Sequence, residues 1–280
     1  MTKKIAWVTD STAFLDDELK NHPDVYQIPL TILLDGEEFA DGLDLTPHEL
    51  YTRLKTLSNP PKTSQPAIGA FKALYEKLAK NYDMIVSILI SAKLSGTVSS
   101  SQQAGQLVDV PVVTIDSKIL AYPLSALIKK GIRDIQKEEI ESVVSSIETL
   151  TTKNETYVLV GSLEQLHRSG RMNNLQFLLG SVLNIKPIIA ITDGELKVKE
   201  KARSEKKAKE KIVELLKSSN EIAPVKEAYI LYGLQPEAAL KWKEELINQF
   251  PDIDFQTYPL CATIGVHAGE NTLGISWFNA

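Results

Sequence analysis

The chain has 280 residues, of which 43% are hydrophobic and 24% charged, and its formal net charge is −5. That length predicts two domains, with enough apolar residues for proper cores, and the acidic balance argues against nucleic acid as the main partner. The single cysteine, Cys261, excludes an internal disulfide and a cysteine-rich zinc site.

Met1-Thr2-Lys3-Lys4 runs straight into an apolar strand with no signal-peptide pattern. No apolar run approaches the ~18 residues that a spanning helix needs. These features lead to the expectation of a soluble, cytoplasmic protein. The first strand, Ile5 to Val8, ends in Thr9-Asp10-Ser11-Thr12. Asp10 could suggest a phosphorylated nucleophile, but the usual partner acid two residues on is replaced by Thr12, so Asp10 reads as a loop organiser that accepts amides. A helical stretch follows at Leu15–Asn21, then an extended run Ile28–Phe39 with a hairpin signal at Asp35-Gly36. Thr46-Pro47-His48-Glu49 is a capping box that starts a helix. The hydroxyl cluster Thr63-Ser64 opens an amphipathic helix over Ser64–Lys80, with Phe71, Leu74, Tyr75 and Leu78 on one face. Two more apolar strands, Ile85–Ile90 and Val112–Ile115, also end in hydroxyls, at Ser91 to Thr97 and at Asp116-Ser117, and each is followed by a helix. Continuous apolar runs imply strands buried on both faces of a parallel sheet. Hydroxyls and helix N-termini gathered beyond the carboxyl ends of such strands make an anion site.

The pattern changes at the polar linker Thr151–Asn154, dividing the chain into residues 1–153 and 154–280. The second part reads as a strand at Tyr157–Gly161, a helix ending at Ser169-Gly170, and a second helix at Asn173–Val182. A hairpin follows, Pro187–Ile191 with Glu195–Ala202 around Asp193-Gly194. After it come a charged helix at Arg203–Ser218, a strand at Tyr229–Tyr232, a helix at Pro236–Phe250 and a strand at Phe255–Leu260. The expected class is α/β in two domains, an N-terminal parallel-sheet α/β domain and a C-terminal mixed α+β domain.

Standard catalytic signatures are absent: there is no P-loop, no dinucleotide fingerprint, no zinc-protease motif and no nucleophile elbow. The Ser204-to-Lys207 spacing resembles a serine–lysine motif, but it sits among lysines and reads as a solvated helix face. His22, His48 and His167 fall on helix ends or faces, whereas His267 lies between Gly265 and Gly269, which favours a ligand role. Thr63 and Ser95 read either as N-caps or as anion ligands. Arg171, just past a helix C-cap glycine, and Arg203, where a hairpin strand becomes a helix, each read as ordinary surface arginines.

Together these motifs resemble the DegV family, which includes the fatty-acid-binding subunits of bacterial fatty acid kinase. The resemblance rests on Val8-Thr9-Asp10-Ser11-Thr12, Thr63-Ser64-Gln65-Pro66, Leu94-Ser95-Gly96-Thr97, Asp116-Ser117, Ser169-Gly170-Arg171, Asn184-Ile185-Lys186-Pro187, Gly194, Arg203 and Gly265-Val266-His267-Ala268-Gly269. It implies a long-chain fatty acid, such as palmitate or oleate, in an apolar tunnel, with no other cofactor and no metal. It implies that Thr63 and Ser95 hold the carboxylate, and that Arg171, Arg203 and His267 line the same polar end. It further implies a non-catalytic carrier that presents the fatty acid to a separate ATP-dependent kinase for acyl-phosphate formation. The energetics agree with a lipid, since burying a sixteen-carbon tail supplies about 12 kcal/mol gross at ~0.8 kcal/mol per methylene. Two other readings stand beside this one: an enzyme acting on a small phosphorylated substrate at the same anion site, and a regulatory module docking through Lys197–Lys217 onto an acidic partner or, transiently, a membrane surface.

Overall fold

Continuous apolar runs in the first half pair as a four-stranded parallel sheet in a computed structural model that describes residues 3–172 and 185–279. Its strands are β1 (Ile5–Asp10), β2 (Val25–Ile28), β6 (Met84–Leu89) and β7 (Val112–Asp116), in the order β2-β1-β6-β7. Every residue of β1 is buried because helices cover both faces. On one side, α3 (Ile68–Leu78) and α4 (Thr97–Gly105) bring Phe71, Tyr75, Leu78 and Ala104 against Val8 and Ile85. On the other, α5 (Tyr122–Asp134) and α6 (Ile140–Thr151) pack Leu124, Ile128, Val143 and Ile147 onto Trp7 and Val86. Gly131 of α5 is required there, since a Cβ would lie 2.4 Å from the Trp7 ring.

A small antiparallel sheet in the order β4-β3-β5 adjoins this layer, formed by β3 (Thr31–Leu34), β4 (Glu37–Ala40) and β5 (Lys62–Ser64). The turn at Asp35 (φ 48°) and Gly36 (φ 93°) has the left-handed pair that an Asp-Gly hairpin favours. The Thr46 capping box forms with both of its hydrogen bonds and starts α2 (Pro47–Leu54). The segment around Thr63 departs from expectation. It is a strand paired with β3, Thr63 opposite Ile32, and the helix begins only at Ile68. Pro66 accounts for the difference, because it disfavours helical backbone at Gln65 and keeps the preceding residues extended.

The second half builds a six-stranded sheet from β8 (Asn154–Leu159), β9 (Lys186–Thr192), β10 (Glu195–Ala202), β11 (Glu227–Tyr232), β12 (Asp254–Pro259) and β13 (Leu273–Phe278). The order is β10-β9-β8-β13-β11-β12, and only β11 and β12 run parallel. Two helices, α8 (Glu205–Ile222) and α9 (Pro236–Gln249), cover one face with Ile212, Leu216 and Trp242 packed on Phe255 and Ile275. The opposite face, with α7 (Leu163–Arg168) and α10 (Ala262–Ala268), turns toward the first half. Strand β13, which pairs with both β8 and β11, has no counterpart in the sequence reading. Gly274 and Ser276 interrupt its apolar run, and the Ser276 hydroxyl is spent inside the sheet, 2.7 Å from that of Thr156. The expected helix at Asn173–Val182, and Asn184 of the family motif, lie outside the described residues.

Candidate functional site

A cavity of about 340 Å³ lies between the parallel sheet and the inward face of the six-stranded sheet. Its walls are apolar: Ile90 and Leu94 from the β6–α4 loop, Val158 and Val160 from the end of β8, Ile189 and Ile191 from β9. Thr63, Ser95, Arg171 and His267 also line it, together with the polar residues Gln65, Lys93, Thr263 and Thr272, and no carboxylate does among the described residues.

The loop that carries Ser95 is fixed residue by residue. Asp10, buried at the end of β1, accepts the Ile90 amide at 2.7 Å and the Thr12 amide at 2.9 Å. The Ser91 hydroxyl donates to the Gly194 carbonyl at 2.8 Å, which docks the tip of the β9–β10 hairpin on this loop. Asp116 accepts the Ala92 amide at 3.0 Å. Three consecutive residues are thus pinned by three different elements, and the chain then turns through Ser95 and Gly96 into α4. The hydroxyls at the ends of β1 and β7 are taken up by the protein itself: Ser11 donates to Asp41, just after β4, at 3.0 Å, and Ser117 closes onto Ile119 within its own loop. Asp10 therefore organises its loop, and burial pushes its carboxyl above the usual range.

Neither Thr63 nor Ser95 caps a helix. Thr63 sits in β5, and α4 is preceded by Gly96 with no side-chain cap bond. The Ser95 hydroxyl lies 2.8 Å from that of Thr97, at the first turn of α4, where backbone amides lack intrahelical partners. The two loops meet closely, since a Cβ on Gly96 would come within 3.0 Å of the Gln65 side chain.

Thr63 Oγ1 lies 2.8 Å from His267 Nε2, and Arg171 Nη2 donates to the same oxygen at 3.5 Å. Arg171 is held in place by its Nη1, which donates to the Ser169 carbonyl at 2.6 Å. Burial first, and then the nearby Arg171 charge, pushes the His267 pKa down to about 3, so the imidazole is neutral at neutral pH. A neutral ring protonated at Nε2 donates to Thr63 Oγ1, as does Arg171. The Thr63 hydroxyl hydrogen is then free to point at an anion. In that tautomer Nδ1 is an acceptor, and it is buried without a protein partner. The arrangement brings the Arg171 cation and the Thr63 hydroxyl together, with the Ser95 hydroxyl on the same cavity and mostly apolar surface elsewhere. It suits a monoanionic head on an apolar body.

Arg203 is the exception among the five side chains singled out from the sequence. It is exposed at the junction of β10 and α8 and does not line this cavity. The reason is topological: the hairpin tip docks beside the Ser95 loop, and Arg203 follows the opposite end of β10, a strand's length or roughly 25 Å away. The neighbouring Ser204 caps α8 by accepting the Lys207 amide at 3.2 Å, and Lys207 pairs with Glu210 at 2.6 Å, so this spacing serves the helix. Lys209, Lys211 and Lys217 also pair with glutamates. The wall residues Ile189 and Ile191 escaped sequence reading because their neighbours Ile188 and Ala190 face the other core. With both faces apolar, no alternation marks which side faces a ligand.

The geometry has close counterparts. A DegV domain-containing protein of Listeria innocua is 35% identical over 281 residues, covering 99% of both chains. A fatty-acid-binding DegV family protein of Thermus thermophilus superposes with a TM-score of 0.91 at 29% identity, over 99% of this chain and 100% of that one. DegV of Bacillus subtilis, described as a fatty acid binding protein, gives a TM-score of 0.89 at 33% identity, over 99% of this chain and 100% of that one. The family profile described as "Uncharacterised protein, DegV family" matches residues 4–280, and on that match and the Listeria relative the chain belongs to the DegV family.

Proposed function

We propose that this protein binds a long-chain fatty acid, with the acyl chain in the apolar cavity and the carboxylate at Thr63 and Ser95. The observation that carries the reading is the convergence of His267 and Arg171 on the Thr63 hydroxyl at one place on a largely apolar wall. A carboxylate taken from water needs several donors or it protonates. Here the hydroxyl hydrogens of Thr63 and Ser95, the first amides of α4 and the Arg171 charge supply them. The fatty-acid-binding relatives support the same ligand. Titration of delipidated protein with palmitate and oleate tests it, and absence of saturable binding to either refutes it.

The reading extends to a carrier that is not itself a catalyst. Phosphoryl transfer from ATP needs a phosphate cradle, a metal-holding acid and a positioned nucleophile. This chain supplies the bound carboxylate as nucleophile, and a separate kinase supplies nucleotide and metal. The carboxylate oxygen attacks the γ-phosphorus of ATP held by the kinase, ADP leaves there, and the acyl phosphate forms at the Thr63–Ser95 end, where Arg171 steadies the charge on the acyl head and His267 orients the Thr63 hydroxyl. The test is acyl-phosphate formation from ATP and magnesium with and without a partner kinase; formation by this chain alone refutes it.

A further inference from the structure

The seam between the two large sheets contains a second cavity of different character. Leu120 and Leu231 face the lipid cavity, while Tyr122 and Tyr229, two residues along each segment, face a cleft of about 780 Å³. Five cations line this cleft: Lys129, Lys130 and Arg133 from α5, Lys153 just after α6, and Lys226 just before β11. Glu227, the one carboxylate lining it among the described residues, accepts the Tyr229 hydroxyl at 3.0 Å. Lys129 is engaged by Asp16 and Glu18, and Lys130 and Arg133 share Asp134. Lys153 and Lys226 are exposed and form no ion pair among the described residues. Set against Asp16, Glu18, Asp134 and Glu227, the five cations leave one net positive charge at the cleft, carried by the Lys153 and Lys226 pair.

The wall opposite α5 has unusual chemistry. Ser142, Ser145, Ser146 and Thr149 recur at helical spacing, so the cleft-facing side of α6 is a stripe of hydroxyls, while Ile140, Val143 and Ile147 face the core. Ser142 donates to Glu138 at 2.8 Å and Thr149 to the Ser145 carbonyl at 2.9 Å, which leaves Ser145 and Ser146 as the hydroxyls that can donate to an anion without neutralising the cations beside them.

We propose that this cleft binds a phosphate-bearing ligand. Lys153 and Lys226 stand without a carboxylate partner among the described residues, beside the hydroxyls of Ser145 and Ser146. A phosphate brings about −1.5 to −2 charges and three strong acceptor oxygens, which Lys153 and Lys226 meet as point charges and the free hydroxyls as donors. The phosphate belongs either to a soluble compound or to a phospholipid headgroup.

Two arms separate these sources in the full-length protein at physiological salt. In the first, inorganic pyrophosphate is titrated calorimetrically. In the second, the protein is floated with phosphatidylglycerol or phosphatidylcholine vesicles. Both are repeated with Lys153→Glu/Lys226→Glu and with Lys206→Glu/Lys217→Glu, which makes the same charge change on α8. Saturable binding that falls at least about tenfold in the first variant and less than about twofold in the second supports the site. Binding of free pyrophosphate identifies a soluble source, and binding to phosphatidylglycerol vesicles alone identifies a headgroup. No saturable binding in either arm, or equal losses in the two variants, overturns the proposal. Melting curves establish that both variants fold. Palmitate affinity, measured on the same samples, keeps this outcome separate from that of the lipid cavity.

Discussion

Replacing Thr63 by valine keeps the shape of the side chain and removes the oxygen on which the polar end converges. Valine suits β5 at least as well as threonine, and Thr63 pairs with Ile32 through backbone groups, so the strand should persist. The hydroxyl lost is the acceptor for His267 Nε2 at 2.8 Å and for Arg171 Nη2 at 3.5 Å, and the proposed donor to the carboxylate. A hydrogen bond to a charged group contributes about 1.5–3 kcal/mol, which converts to a loss of about 12- to 150-fold in fatty-acid affinity. Folding stability should fall less, by about 1 kcal/mol, because His267 is only partly buried and regains a water partner. The assay is titration of delipidated wild type and variant with palmitate and oleate, with urea unfolding of the ligand-free proteins alongside. Ser95→Ala should lower affinity by a similar factor while leaving the fold intact, since Ser95 caps no helix. Unchanged affinity in both variants would show that the carboxylate binds elsewhere.

Other outcomes follow from the same geometry. Arg203→Ala should leave acyl affinity within about twofold of wild type, whereas Arg171→Ala should weaken it by tenfold or more, at about 1.4 kcal/mol per tenfold. Equal effects would contradict the placement of the two arginines. With its pKa near 3, the His267 imidazole should show no protonation between pH 5 and 8 in ligand-free protein when followed by NMR. The unfolded chain takes up that proton below about pH 6.5, so the stability His267 confers is complete above that pH and is lost as pH falls toward 3. Ala121, buried with φ 63° and ψ −152°, occupies backbone space that suits glycine, so Ala121→Gly should raise stability by about 1 kcal/mol, read as a higher urea midpoint at unchanged slope.

The legible and the hidden parts of this chain differ for physical reasons. Continuous apolar runs ending in hydroxyls disclosed the parallel sheet and the end of it where the cavity lies, because a strand buried on both faces leaves no other pattern. Asp-Gly pairs and the Thr46 capping box act locally, and they appear where their chemistry requires. Strand β5 was obscured because its pairing with β3 depends on a distant segment, and β13 because its polar residues are satisfied across the sheet by Asn154 and Thr156. At the site, Thr63, Ser95, Arg171 and His267 are marked by residue type and by flanking glycines or prolines. The meeting of Arg171 and His267 at the Thr63 oxygen spans 204 positions between Thr63 and His267 and depends on the packing of α10 against the small sheet. Arg203 carried the same residue-level signal as Arg171, and only strand topology separates them.

The most direct test of the central claim is mass spectrometry of the lipid extracted from several independent preparations of the folded protein. A fatty acid of about sixteen to eighteen carbons, near one per chain, and its displacement by added palmitate or oleate, is the predicted result. Consistent absence of any fatty acid, together with no uptake of palmitate or oleate by the delipidated protein, would contradict it.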